Sequence, residues 1–73
     1  MQRFGEKLRV LRTARGLTVR ELVVNLGFSV NSSSLISEIE NGHRKPNLDF
    51  VLKVADYFGV SVDLLVRDSE NLP

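Results

Sequence analysis

The stretch TVRELVVNLGFSVNSSSLISEIENG, residues 18–42, decides the fold. Thr18 offers a hydroxyl to the free backbone N–H groups of a helix start, and Glu21 three residues on completes a capping box, so a helix begins here. Leu22, Val23 and Leu26 give that helix an apolar stripe, and Gly27 closes it. A turn rich in Ser and Asn follows, and then a second helix carries Leu35, Ile36 and Ile39 on one side until Asn41-Gly42 stops it.

Working outward, Phe4, Leu8 and Leu11 recur at a helical period before Gly16, which predicts a first helix. Downstream, His43-Arg44-Lys45-Pro46 is a basic loop, since the proline cannot sit inside a helix. Asn47 is placed to cap a fourth helix, with Asp49 favourable in its first turn. Its expected buried stripe is Leu48, Val51, Leu52, Ala55 and Phe58, closed by Gly59. Ser61 caps a short fifth helix from Val62 to Val66. These elements predict an all-α, five-helix bundle over residues 1–67, with residues 68–73 as a frayed tail.

With 73 residues and no cysteine, one small domain must hold itself together by packing alone. Disulfides and zinc fingers are excluded, and the lone His43 cannot build a metal site, so neither metal nor cofactor is expected. No apolar run approaches the roughly 18 residues of a membrane helix, and no signal peptide opens the chain. These features predict a cytoplasmic, nucleoid-associated protein. No nucleophile with a base, paired carboxylates or phosphate-binding glycine loop points to an enzyme.

The net charge of +1 says little, but its distribution says more. Residues 1–45 carry eight Lys/Arg against four acids, whereas residues 46–73 carry two against five. The chain has a basic end and an acidic end. Solvation of an ordinary surface would use the same residues.

Two short helices joined by a turn, the second presenting small polar side chains, is an arrangement that places a reading helix in the DNA major groove. The order LRVLRTARGLT, ELVVNLG, ISEIENG, RKPNLDFVLKVADYFGVS and VDLL resembles the Cro/phage-repressor family, the lambda repressor-like and xenobiotic-response-element-type helix-turn-helix domains. The resemblance covers Phe4 to Val66. It implies that Arg12 pairs with Glu40 as a structural brace between the first and third helices. It places Thr18, Asn41, Arg44 and Lys45 as phosphate contacts, which position a protein on DNA without choosing a sequence, and the charges of Arg20 and His43 make them further candidates. Ser33, Ser34, Ser37 and Glu38 fall where relatives read bases. His43 has a plain alternative as a solvated loop residue.

The chain departs from the family in three places. About three residues are inserted in the turn near Val30, Asn31 and Ser32. Either the third helix gains nearly a turn, capped by Ser29, or the turn bulges and Ser32 is the cap; the weak helix formers here favour the bulge. Val23 replaces a family alanine at a tight contact, which suggests a third helix set slightly further out. Val19 replaces a phosphate-touching glutamine, and the reading face lacks Arg, Gln and Lys. Asn31 is then the best candidate for a bidentate adenine contact, the alternative being that it only supports the turn.

Phe50, Val54 and Tyr57, joined by Val62 and Leu65, form a second apolar face. It is either a wide core face or, as relatives commonly do, a surface for self-association. The function predicted is a sequence-specific regulator of transcription that binds double-stranded DNA as a homodimer, its control left to concentration, dimerisation or a separate regulatory protein. The alternative is an antitoxin-like or anti-repressor interaction module on the same fold, favoured by Val19, Val24 and the neutral reading face.

Overall fold

A computed structural model describes residues 1–73. Five α-helices follow one another: α1 Phe4–Ala14, α2 Val19–Asn25, α3 Ser33–Glu40, α4 Leu48–Phe58 and α5 Val62–Val66. A single 3-10 turn, Val30–Ser32, precedes α3. The all-α, five-helix expectation holds. α1 packs on α3 and α5, α2 on α3, and α4 on α5, around thirteen buried apolar residues.

Local chemistry explains the boundaries. The Thr18 hydroxyl accepts from the Glu21 N–H at 3.1 Å while the Glu21 carboxylate accepts from the Thr18 N–H at 2.9 Å, so the capping box is complete. These bonds from Thr18 hold the Glu21 carboxyl below its ordinary range. Asn47 and Ser61 cap α4 and α5 with bonds to Phe50 N–H and Leu64 N–H. At the end of α3, Gly42 turns left-handed at φ +77°, which lets its N–H reach the Ile39 carbonyl and the His43 N–H reach that of Glu38.

The inserted residues resolve the open alternative against the bulge. Val30–Ser32 wind into a 3-10 turn that runs straight into α3, capped by Ser29, whose hydroxyl accepts from the Asn31 N–H at 3.2 Å. Ser32 makes no capping bond. A 3-10 turn needs fewer consecutive helical residues than an α-turn, so it tolerates the poor helix formers that argued for a bulge. Val23 is fully buried in the core rather than turned away from it.

The buried stripe of α4 is rotated from the one expected. Phe50, Val51, Val54, Ala55 and Phe58 face the core, while Leu48 and Leu52 lie 67% and 43% exposed. Phe50 selects this phase, since its ring stands 6.2 Å from Phe4 and 6.0 Å from Phe28, centroid to centroid. Phe50, Val54 and Leu65 are therefore core residues and not a self-association surface, and Tyr57 and Val62 pack half-buried against the same core.

Lys7, counted above in the basic end, is only 1% exposed. Its ammonium donates to the carbonyls of Leu64 and Arg67 at 2.6 and 2.8 Å, closing the C-terminus of α5. The tail expected to fray is tied down as far as Asn71. Asp68 accepts from the N–H groups of Gln2 and Arg3, and the Arg3 guanidinium donates to the Asp68 carbonyl and the Asn71 side chain.

Candidate nucleic-acid interface

The interface is built on a brace. Glu40, at the last turn of α3, has a side chain only 2% exposed, and Arg12 of α1 grips it with Nε at 2.8 Å and Nη2 at 3.0 Å. The remaining Arg12 nitrogen donates to the Leu17 carbonyl at 2.8 Å. The Glu40 bonds raise the Arg12 pKa further, and the guanidinium stays charged. Arg9, not singled out in the sequence, joins from the same helix: it reaches Glu40 at 3.3 Å and Asn41 Oδ1 at 2.6 Å. Its spacing of three from Arg12 was the available signal, since i and i+3 share a helix face.

Gly5 was missed as well. A Cβ there would fall inside contact distance of the Ile39 carbonyl oxygen and 2.9 Å from that of Glu40. Only a hydrogen at this position lets α1 approach the end of α3 so closely. Its place beside Phe4 and Leu8 in the apolar stripe was the clue.

With α3 fixed, its outer face offers Ser34, exposed, and Ser37 and Glu38, half-buried. Ser33 is drawn away, because its hydroxyl donates to the Val30 carbonyl at 2.8 Å. Asn31 is exposed on the 3-10 turn, its backbone N–H bonded to Ser29 and its side-chain amide without a partner in the chain. Thr18 and Asn41 are exposed at the helix ends where they were expected. Thr18 accepts with its oxygen and retains its hydroxyl hydrogen; Asn41 accepts from Arg9 with Oδ1 and retains its amide hydrogens.

The cations divide sharply. Arg3 pairs with Glu6, Arg9 and Arg12 with Glu40, and Arg44 with Glu38 at 2.7 Å. Arg15 lies over the rings of Tyr57 and Phe58 at 5.2 and 4.8 Å, and Lys7 is buried. Of the basic end, Arg20 at the start of α2 and Lys45 in the loop after α3 carry neither an ion pair nor a stack, and His43 is exposed in the same loop as Lys45. Lys45 and Arg44 line an open groove of about 440 Å³ between the first residues of α1 and the loop that follows α3. This spread gives a mildly cationic rim around a polar, nearly neutral α3 surface.

A family model described as a helix-turn-helix domain matches residues 3–67. The chain belongs to the helix-turn-helix domain family. It is 36% identical over 67 residues to the cryptic phage CTXphi transcriptional repressor RstR of Vibrio cholerae, covering 92% of this chain and 58% of the repressor. It is 34% identical to the transcriptional activator BcrR of Enterococcus faecalis, over 92% of this chain and 31% of the activator. It is also 34% identical to the uncharacterized regulator YazB of Bacillus subtilis, over 85% and 86% of the two chains. The chain thus spans about three-fifths of one of these regulators and a third of another. No solved structure matches the chain significantly. The phage repressor relative agrees with the Cro/repressor type of the family inferred from the motifs.

Proposed function

We propose that this chain is the DNA-recognition domain of a bacterial or phage regulator of transcription, binding a duplex operator as a dimer. The observation that carries the reading is α3 itself: it is locked from behind by Arg12–Glu40, shows Ser34 and Ser37 outward, and is flanked by the unpaired cations Arg20 and Lys45. Relatives named as transcriptional repressor and activator share this domain, which supports DNA recognition as its task and leaves the sign of regulation to other parts of such proteins.

In this reading Arg20, Lys45 and His43, with Thr18 and Asn41 at the helix ends, meet phosphates. Asn31, Ser34 and Ser37 meet base edges, and Ser33 serves the turn. Dimerisation is supported by size. The molecule is 32 Å in its longest dimension with one reading helix, so one chain covers one half-site, and two copies are needed to meet half-sites about 34 Å apart. Leu48 and Leu52, one turn apart and exposed on α4, are the surface for that contact.

The test is duplex binding at several salt concentrations. The parent binds with an affinity that falls steeply as salt rises, and Arg20→Ala with Lys45→Ala lowers affinity and makes the slope shallower by about two. Absence of duplex binding at low salt would overturn the reading. It would favour a protein-docking module instead, with Val24, 52% exposed beside Arg20, Glu21 and Asn25, as its contact.

A further inference from the structure

Arg44 differs from Arg20 and Lys45 in being held by an ion pair. Its Nε donates to Glu38 Oε1 at 2.7 Å, and the terminal nitrogens of the guanidinium have no partner in the chain. The two residues before it are bonded back to α3, His43 N–H to the Glu38 carbonyl at 2.8 Å and Gly42 N–H to that of Ile39 at 3.1 Å. The side chain is held at Nε, while its end-on pair of N–H groups stays free and half exposed. A forked donor held in place suits a pair of acceptors at fixed spacing.

We propose that Arg44 reads a guanine in the major groove, bidentate to O6 and N7, with Glu38 as the positioning residue that aims it; the inference rests on the DNA-binding reading above. The ion pair sets the guanidinium beside the outer face of α3, because Glu38 belongs to that helix and lies half-buried on it. Keeping the pair intact neutralises Glu38 and spends only the Nε–H, so the terminal fork reaches a base without loss. The neutral, serine-rich face of α3 then gains one strong discriminating contact, supplied from the loop rather than from the helix.

Selection of bound sequences from a random duplex pool, followed by affinities for single-base variants of the selected site, tests the proposal. The parent is expected to select a site with an invariant guanine, discriminated by about tenfold or more. Arg44→Ala, which removes the fork, is expected to lose that preference at that one position. Glu38→Gln is expected to weaken the same preference while raising affinity for unrelated duplex, an outcome that loss of a merely structural bond would not produce. Circular dichroism of each variant verifies that the helices persist, and Arg44 lies at an exposed position where folding does not depend on it. Retention of the guanine preference in Arg44→Ala overturns the inference alone, as does an Arg44→Ala loss that is uniform across sequences with a salt slope shallower by about one. A parent that binds no duplex overturns both the inference and the functional reading beneath it.

Discussion

At Gly5 an added methyl group would press on backbone, the carbonyl oxygens of Ile39 and Glu40, which cannot swing aside as a flexible side chain would. Gly5→Ala is expected to destabilise the chain by about 1–3 kcal/mol or more, the range for overpacking, although alanine is the better helix former. Thermal unfolding should register this as a fall of at least about 4 °C. Glu40 is a second residue on which much depends. Glu40→Gln leaves Arg12, largely buried, with its charge uncompensated, and a loss of about 3 kcal/mol is expected from urea titration. Replacing both residues by leucine should recover part of that loss, because a buried pair is costly to break and cheaper to replace whole. Neither effect is set by Gly5 or Glu40 alone: both depend on where α1 crosses α3. Arg12–Glu40 was reached through family resemblance; Gly5, Lys7 and Arg9 were not, because helical periodicity marks a residue as inward without naming what it meets.

At the scale of elements, caps account for the agreement between expected and observed boundaries. Thr18 with Glu21, Asn47 and Ser61 each satisfy backbone donors within three residues, so the start of a helix is written where it occurs. The N-terminal end of α1 is different: no side chain caps it, and the residues leading into it are held by Asp68, more than sixty residues away. The bonds from Arg3 and Gln2 hold the Asp68 carboxyl below its ordinary range. A carboxyl depressed in the folded chain stabilises it fully above the unfolded value and ceases to do so as pH falls through the folded one. Docking of the tail on α1 is therefore expected to persist at neutral pH and to loosen in acid, below the usual carboxylate range. Amide hydrogen exchange of Gln2 and Arg3, compared between the parent and Asp68→Asn, checks this: the variant should exchange faster at neutral pH and lose most of its difference from the parent in acid. The 3-10 turn before α3 belongs to the same scale. Its residues permit two conformations, and propensity favoured the wrong one.

For the whole molecule, the exposed pair Leu48 and Leu52 gives the proposed dimer a definite place to be tested. Sedimentation at micromolar concentration is expected to show a species of about twice the 8.2 kDa chain, and Leu48→Asp with Leu52→Asp is expected to return it to the single-chain mass with unchanged helix content. A parent that sediments as a single chain would remove the dimer from the proposal. The placement differs from the one expected, since Phe50 and Val54 were assigned to the partner face and Leu48 and Leu52 to the buried stripe. The segment LDFVLKVADYF has apolar residues around most of its circumference, so periodicity admits more than one buried face. Charge shows the same dependence on tertiary structure. The basic end suggested a broad cationic surface, yet ion pairs, a buried ammonium and aromatic stacking leave Arg20 and Lys45 as its uncommitted cations.

Sequence alone determined the helices, their order and most of their ends, because capping and helical period act over three or four residues and need no partner from elsewhere in the chain. Tertiary structure decided which face of α4 is buried, how closely α1 meets α3, where Lys7 and Asp68 find their partners, and that Arg44 is held by Glu38. Those outcomes are set by atoms distant in sequence, or by a choice among equally apolar or equally charged neighbours, and only the packed chain selects among them.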